Sequence, residues 1–314
     1  MEERIPIIID TDPGIDDAIA IMLAQASDRL EIVGLTPVDG NVPAAHTFQN
    51  ALDLSEFLGI HCPVAKGAQT QLELPVAHHG EDVHGATGLG KLVLPAADAD
   101  FDPQPAWDFI YEKAKAMQGR LVLVAIGPLT NVAKAIRLHP DLREYLREIV
   151  LMGGGTEGGN RTPFAEFNFW VDPPAAQIVF ESGIPITMAG LNVTLKTGIS
   201  IDFIHSLAQK KSRIGEILEM LVETYNDKAL GRGGRGVSIV HDAIPVFFLA
   251  HPECCTTEQC KITVNTVRGS ERWGQSVADY ADEAHFNTRL ITDVDMRAYE
   301  RFYEEMTAFF AHLG

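Results

Sequence analysis

The chain of 314 residues is poor in cysteine and in positive charge. Its four cysteines, at positions 62, 254, 255 and 260, form no C-x-x-C pair, so they predict reduced structural thiols rather than a zinc site or a redox couple. Lys and Arg total 25 against 43 Asp and Glu, which makes the formal net charge −18. This excess of acid argues against nucleic acid or an anionic membrane surface as a partner. It favours a small neutral or cationic ligand, or a metal cation.

Long apolar runs are also missing. The longest, such as "LVLVAI" at 121–126, are far too short to cross a bilayer, and the first residues lack the basic and apolar regions of a signal peptide. We therefore expect a soluble, cytoplasmic protein. No linker, repeat or low-complexity segment divides the chain, which favours a single domain over residues 1–314.

Strand-like apolar runs alternate with stretches of helical period. This pattern predicts an α/β fold with an open, mainly parallel sheet and helices on both faces. Two examples of the pattern are a helix from about Pro43 to Leu58, whose inner face carries Phe48, Leu52 and Ser55, and a helix from about Thr130. The predicted strands are "IPIII" (5–9), "EIVGLT" (31–36), "LVLVAI" (121–126), "EIVLM" (148–152) and "IPITMAG" (184–190).

Unusual polar clusters follow four of these strands, at their carboxyl ends. Because ligands of open parallel sheets bind at that edge, the four clusters predict one functional site. They are the Asp cluster after the first strand, "DGN" (39–41), "GPLTN" (127–131) and "GGGTEGGNRTPFAEFN" (153–168). Glycines there allow close approach of the main chain, Thr130 or Asn131 would cap the next helix, and the Ile126 carbonyl is a candidate metal ligand.

The first cluster, "IIIDTDPGIDD" (7–17), places four carboxylates within eight positions around a Pro-Gly turn. A solvated acidic turn is the simplest interpretation, but converging carboxylates also suit a hard cation such as Ca²⁺ or Mg²⁺. The spacing excludes an EF-hand. A phosphatase of the aspartyl-phosphate type, with Asp10 as nucleophile and Asp12 as acid, is a further alternative.

The triplet "HDA" (241–243) opens the apolar stretch "IPVFFLA". A carboxylate that enters a buried segment needs a cation or hydrogen bonds, so Asp242 is a candidate ligand of the same metal. His241 is a candidate for proton transfer near neutral pH. The alternative is that Asp242 only caps a helix and His241 is incidental.

The segment "NRTPFAEFNF" (160–169) combines Asn160, Glu166 and Asn168 with apolar residues. In an extended segment Glu166 and Asn168 would share one side, with Phe167 on the other. A carboxylate and two carboxamides are suited to sugar hydroxyls, which both donate and accept hydrogen bonds. The alternative is a polar loop that closes a strand-to-helix connection.

Two glycine-rich segments are predicted to be flexible. "HHGEDVHGATGLG" (78–90) matches no standard transition-metal ligand set and is interpreted as a loop near the site, with His84 its residue of interest. "GRGGRG" (231–236) superficially resembles an RNA-binding segment, but one copy in an acidic chain favours a mobile flap ahead of His241.

Taken together, these motifs resemble the inosine-uridine-preferring nucleoside hydrolases in order and spacing, from about residue 5 to residue 295. The matching stretches are "DTDPGIDDAIAI", "GNV", "HGATGLG", "AIGPLTNVA", "VLMGGG", "NRTPFAEFN" with "VDPPAA", "MAGLNVT" and "VHDA". The resemblance implies an α/β enzyme that binds Ca²⁺ and hydrolyses the N-glycosidic bond of ribonucleosides to ribose and free base.

The resemblance also implies roles for individual residues. The metal ligands would be Asp12, Asp17, Asp242 and the Ile126 carbonyl, and Asp12 would also be the general base. The ribose would be held by Asp16, Asn41, Asn160, Glu166 and Asn168, and the residues near the base or sugar would be His84, Met152, Phe167 and His241. His241 would stabilise the departing base, and the chain would form a homodimer or homotetramer.

Some positions depart from the family pattern. Asp39 stands where a small residue is usual and could add charge near the site or face water. Ala243 replaces the usual proline, Asn192 replaces an aspartate, and "GQSVAD" (274–279) is a looser version of a late motif. The base pocket would come from 218–242, with Thr224 and Tyr225 as candidates. His84 and His241, with few stacking aromatics, favour a pyrimidine-preferring or nonspecific enzyme; the alternatives are the phosphatase and a non-catalytic nucleoside-binding protein.

Overall fold

The computed structural model describes residues 3–73, 79–97, 101–229 and 236–312, with only the backbone at 224–229. The strands are β1 (Ile5–Thr11), β2 (Leu30–Pro37), β3 (Val122–Ala125), β4 (Glu148–Met152), β5 (Ile186–Ala189), β6 (Ile199–Ser200), β7 (Val237–Ser238), β8 (Cys255–Val264), β9 (Ser276–Asp279) and β10 (Thr288–Val294). The α-helices are α1 (Ile15–Ala26), α2 (Ala44–Phe57), α3 (Glu81–His84), α4 (Ala106–Met117), α5 (Thr130–Leu138), α6 (Phe167–Val171), α7 (Pro173–Glu181), α8 (Leu191–Thr194), α9 (Ile201–Gln209), α10 (Arg213–Ala229), α11 (Ala243–Ala250) and α12 (Met296–Phe309).

Eight of the strands form one sheet in the order β2-β1-β3-β4-β5-β10-β8-β9. The first six of these are parallel, whereas β8 and β9 extend the sheet in antiparallel fashion. Strands β6 and β7 form a separate antiparallel pair. The chain passes from β1 to β2 on one side and later to β3 on the other, so β1 and β3 flank a topological switch point, where open α/β sheets bind their ligands.

The sheet has a hydrophobic core on each face because successive side chains of a strand point in opposite directions. Ile7 and Ile9 of β1 pack into one core with residues of α1, α10, α11 and α12. Ile8 packs into the other with residues of α4, α5 and α7. The predicted mainly parallel sheet with helices on both faces is confirmed.

The local predictions for helices α2 and α5 differ in their outcome. Helix α2 lies within one residue of the predicted bounds; Leu52, Ser55 and Leu58 are buried, whereas Phe48 of the predicted inner face is half-buried. Helix α5 has no side-chain cap: Thr130 donates to Asp172 and Asn131 donates to Asp10 instead. The predicted cap from Thr130 or Asn131 is therefore wrong, because both side chains bind carboxylates from other elements.

Among the residues described here, no helix combines the length and the apolar character needed to cross a membrane. The organisation of residues 1–314 as a single domain stays a prediction.

Candidate active site

The turn after β1 brings the carboxylates of the predicted Asp cluster together in the protein interior. Asp10, Asp12 and Asp17 are at most 1% exposed and Asp16 is 6% exposed, so the solvated-turn interpretation is wrong. Asp17, in the first turn of α1, folds back onto the strand end. Its carboxylate accepts hydrogen bonds from the Thr11 hydroxyl (2.6 Å) and from the Asp12 and Gly14 amides (3.2 and 3.0 Å).

Asp12 occupies the switch point between the ends of β2 and β3. Its Oδ2 accepts the Asn41 amide at 2.7 Å, whereas its buried Oδ1 has no hydrogen-bond partner in the described chain. A Cβ on Gly40 would lie 2.1 Å from Oδ2, and one on Gly127 would lie 2.6 Å from Oδ1. Glycine at both positions is therefore what lets the two neighbouring loops close around this carboxylate.

Asp16, Asp17 and Asp242 form a compact trio, with one carboxylate oxygen from each within 4.8 Å of the others. Burial and the charge of Asp17 raise the pKa of Asp16 to about 8, and burial also raises the pKa of Asp17. Burial and the surrounding carboxylates, Asp12 among them, raise the pKa of Asp242 well above its usual range. Such a group is costly to ionise without a cation, and its oxygens suit a hard metal ion.

Asp242 lies at the N-cap position of α11, yet its side chain makes no capping hydrogen bond. The carboxylate is 3% exposed and close to the other acids instead. The interpretation of Asp242 as a simple helix cap is therefore wrong.

The end of β3 contributes a carbonyl. The Ile126 carbonyl accepts the side-chain amide of Asn168 at 2.9 Å, and that amide also contacts the Met152 carbonyl at 3.3 Å. A carbonyl oxygen has two lone pairs, so this bond leaves the Ile126 carbonyl able to accept a further partner. Three predicted residues thus meet at the ends of β3 and β4.

Glu166 has extended backbone, but the helix α6 begins at the next residue, so the condition under which Glu166 and Asn168 would share one side of an extended segment is not met. Glu166 caps α6 and accepts the amides of Asn168 (2.9 Å), Gly154 (2.9 Å) and Phe169 (3.2 Å). Burial raises its pKa to about 7 in spite of these donors. Asn160 accepts the Phe167 amide at 3.0 Å, so both predicted polar residues hold the start of this helix.

His84 and His241 both lie beside the acidic trio. His84 ends the short helix α3, which lies within the segment predicted to be a loop; its Nδ1 accepts the Ile15 amide at 3.1 Å and lies 3.9 Å from Asp16. Nδ1 of the half-buried His241 lies 2.7 Å from the Thr194 hydroxyl. Burial lowers the pKa of His84 to about 3 and that of His241 to about 4.

Asp10 lies beneath Asp12 and is fully buried. Its Oδ2 accepts the Thr36 hydroxyl at 2.6 Å and the Asn131 amide at 2.8 Å, and burial raises its pKa to about 7. A nucleophile must reach its substrate, so this position does not support Asp10 as the nucleophile of a phosphatase.

Asp39 turns away from solvent. It is 6% exposed, and its carboxylate accepts the Ala44 amide at 3.0 Å and the Gln71 side chain at 3.3 Å, with His79 at 3.3 Å. The interpretation of Asp39 as a residue that faces water is therefore wrong; it holds the start of α2.

Part of the predicted base pocket falls outside the described residues. Residues 231–235 of "GRGGRG" and the side chains of Thr224 and Tyr225 belong to this part. Thr11 and Thr194, by contrast, are contacts that the sequence did not predict, because each is a common residue whose partner is fixed by tertiary packing. The available signal was their position inside two of the quoted motifs, "DTDPGIDDAIAI" and "MAGLNVT".

Comparison with known proteins identifies the relatives of this chain. The profile of the family described as inosine-uridine preferring nucleoside hydrolase matches residues 7–301. A pyrimidine-specific ribonucleoside hydrolase (RihA) of Photobacterium profundum is 38% identical over 314 residues, covering 96% of this chain and 98% of that protein. A non-specific ribonucleoside hydrolase (RihC) of Klebsiella pneumoniae is 35% identical over 307 residues, covering 97% and 99%.

Solved structures show the same fold. A purine-preferring ribonucleoside hydrolase from Gardnerella vaginalis superposes with a TM-score of 0.89 at 29% identity and covers 98% of both chains. An inosine-guanosine nucleoside hydrolase superposes with a TM-score of 0.88 at 29% identity, covering 96% of this chain and 98% of that one.

Proposed function

Because the chain belongs to the inosine-uridine preferring nucleoside hydrolase family, we propose that its buried strand-end site hydrolyses the N-glycosidic bond of ribonucleosides. The products are ribose and the free base. The family and the fold expected from the sequence motifs are confirmed by the profile match and by the solved structures of nucleoside hydrolases.

One observation supports this function above the others, namely that buried carboxylates converge at the switch point of the sheet. Asp16, Asp17 and Asp242 come within 4.8 Å of one another, and the buried Oδ1 of Asp12 has no hydrogen-bond partner in the described residues. Breaking a glycosidic bond develops positive charge on the sugar ring, which anionic oxygens stabilise. The same oxygens fit a hard cation.

Ca²⁺ is the cofactor that we propose. The candidate ligands are carboxylates and one main-chain carbonyl, without cysteine, a set that suits a hard cation. Asp12, Asp17, Asp242 and the Ile126 carbonyl would hold the ion, and the compact trio adds Asp16 to this neighbourhood. When bound, Ca²⁺ would lower the pKa of a water molecule and orient the ribose hydroxyls.

The protein's own side chains supply the proton transfers and the orientation. Asp12, whose Oδ1 accepts no hydrogen bond from the described residues, would take the proton of the attacking water as this water bonds to the anomeric carbon. His241 would stabilise the departing base, and His84, Met152 and Phe167 would lie near the base or sugar.

The ribose would be held by a group of polar side chains at the ends of β1, β2 and β4, which are Asp16, Asn41, Asn160, Glu166 and Asn168. Four of these five are at most 7% exposed, and Asn160 is half-buried. Asn41 is itself held by hydrogen bonds to the Asp12 carbonyl and the Asp17 carboxylate (3.2 and 3.0 Å). Such support restricts the orientation of the side chain, as a sugar clamp requires.

For the base, we propose a pyrimidine-preferring or nonspecific enzyme. The two curated relatives described above are named pyrimidine-specific and non-specific. The purine-preferring hydrolase from Gardnerella vaginalis is less similar, at 29% identity.

The experiment offers uridine, cytidine, inosine and adenosine separately to the purified protein, with added Ca²⁺ and after exhaustive removal of metal. Released ribose and free base are measured. We expect release that is lost without metal and is largest with uridine or cytidine. No release from any nucleoside by the folded, Ca²⁺-loaded protein would overturn the proposal and favour a non-catalytic nucleoside-binding protein.

A cytoplasmic location and a homodimeric or homotetrameric assembly complete the proposal. Both follow from the sequence and the family resemblance. Sedimentation of the purified protein would measure the assembly.

A further inference from the structure

A short helix on the far side of the site places a hydroxyl group against His241. Helix α8 follows β5, and its last residue, Thr194, is fully buried. The Thr194 hydroxyl oxygen lies 2.7 Å from Nδ1 of His241, across 47 residues of sequence. This contact occupies one ring nitrogen and leaves Nε2 as the nitrogen that can serve the substrate.

We propose that Thr194 is a positioning residue whose hydroxyl donates to Nδ1 of His241 and so holds the ring proton on Nε2. The neutral imidazole then presents an N–H donor to the departing base. This inference rests on the proposed function, and it selects a hydrogen bond rather than a proton transfer as the contribution of His241.

The environment of Thr194 holds its main chain in place. Its amide donates to the Gly190 carbonyl at 3.1 Å, and its own carbonyl accepts the Thr197 hydroxyl at 3.0 Å. The Thr197 side chain also bonds to the Tyr299 hydroxyl, which lies 3.1 Å from that of Tyr303. A residue that orients a catalytic side chain needs this kind of support from its neighbours.

The second histidine of the site provides a precedent within the same molecule. Nδ1 of His84 accepts the Ile15 amide at 3.1 Å. A backbone amide can only donate, so the proton of a neutral His84 ring lies on Nε2. With the Thr194 hydroxyl as donor, both rings would carry the same tautomer and present Nε2–H.

The chemistry balances without a proton leaving His241. As the bond between the anomeric carbon and the base breaks, its electron pair stays on the base, and the Nε2–H group stabilises the negative charge that develops there. Water bonds to the anomeric carbon and gives its proton to Asp12. The free base then takes its proton from solvent.

The kinetic test compares two leaving groups. Thr194→Val keeps the side-chain shape and removes the hydroxyl. We expect its kcat for uridine to fall at least about tenfold with little change in KM, because a misdirected donor affects the transition state more than binding. Hydrolysis of p-nitrophenyl riboside, whose leaving group is stable as an anion, should hardly change. Thr194→Ser should restore uridine hydrolysis.

Thr47→Val is the matched control. Thr47 is also fully buried, and its hydroxyl donates to the Ala44 carbonyl within α2 at 3.2 Å. Loss of this hydroxyl should leave the ratio between the two substrates as in the unmodified protein. An equal loss on both substrates in Thr194→Val would assign Thr194 a merely structural role and overturn the inference.

Nitrogen-15 NMR of the histidine rings gives a readout that does not depend on activity. We expect the His241 proton on Nε2 in the unmodified protein and a mixture of tautomers in Thr194→Val. A proton on Nδ1 in the unmodified protein would contradict the inference. If no riboside were hydrolysed, the proposed function would fail, whereas the tautomer measurement would still decide the role of the hydroxyl.

Discussion

Acidic side chains are buried both at the amino ends and at the carboxyl ends of the parallel strands. Among the described residues, an arginine pairs with the acid at the amino ends, whereas no lysine or arginine pairs with the acids of the candidate site at the carboxyl ends. At the start of β4, Glu148 is 7% exposed and accepts Thr187 (3.2 Å) of the neighbouring strand β5 and Arg289 (3.0 Å) of β10, the strand beyond it. At the opposite edge, Asp12, Asp16 and Asp242 have no lysine or arginine within ion-pair distance in the described part of the chain.

The difference separates a structural acid from a functional one. A buried charge is expensive unless it is paired and hydrogen-bonded, and Glu148 meets this condition within the protein. The acids at the carboxyl edge do not, so their arrangement favours protonation or an external cation. Replacing an acid of the candidate site should therefore lower activity and raise the stability of the metal-free protein. Replacing Glu148 should lower stability and leave activity unchanged.

The largest expected effect comes from Asp242→Asn. We expect kcat/KM for uridine to fall by about 1000-fold or more, because the variant loses a proposed metal ligand and perturbs the site around it. The melting temperature of the metal-free protein should rise, since one of several repelling carboxylates is gone. Full activity in this variant would show that Asp242 is not a metal ligand needed for the reaction.

Addition of Ca²⁺ should stabilise the protein through the same edge. At a free concentration of 100 times Kd, binding to the folded state alone stabilises it by about 2.7 kcal/mol. Thermal unfolding with and without Ca²⁺ measures this effect, and Glu148→Gln should retain it. A variant Asp242→Asn that is stabilised as much as the unmodified protein would contradict the assignment.

The pH dependence of the free energy of unfolding of the metal-free protein tests the raised pKa of Asp16. In the folded state burial and Asp17 raise that pKa from 3.8 to about 8, so the folded protein binds a proton more tightly than the unfolded chain. The stabilisation is complete below about pH 4 and is lost as the pH rises towards 8. We expect Asp16→Asn to remove this contribution, as measured by urea unfolding at several pH values. An unchanged dependence would show that Asp16 is not the group involved.

At the other end of the sheet, Glu148→Gln should lower the free energy of unfolding by about 1–3 kcal/mol, because it weakens the bond to Arg289 and leaves that guanidinium without a counter-charge. Arg289 is 40% exposed, so solvent screening favours the lower part of this range. Activity with Ca²⁺ should stay unchanged. A large loss of activity would mean that the two ends of the sheet are coupled.

The smallest expected effect is that of Asp39→Ala. It removes the acceptor of the Ala44 amide at the start of α2 and should cost about 1 kcal/mol of stability. Urea unfolding measures the loss. A change in Ca²⁺ affinity would instead indicate that the charge of Asp39 acts on the site.

The sequence by itself determined five of the ten strands, β1 to β5, a few of the helices and the edge of the sheet at which the candidate site lies. Apolar periodicity and the Pro13-Gly14 turn act over a few residues, so they can be recognised from the sequence alone. The buried runs of β1 and β4 and the helix α2 were predictable for this reason. Asp12 and Asp242 could also be identified as site residues, because a carboxylate beside an apolar run needs a partner.

Only the tertiary structure decided which groups meet. Asp16 and Asp17 approach Asp242 from the other part of the chain, Thr194 reaches His241, and Glu166 caps a helix that alternation had suggested to be extended. These contacts depend on strand order, on how helices pack against the sheet and on which donors remain after burial. Such long-range contacts have no local pattern in the sequence. They determine that Glu148 pairs with Arg289, whereas the acids of the site have no lysine or arginine partner among the described residues.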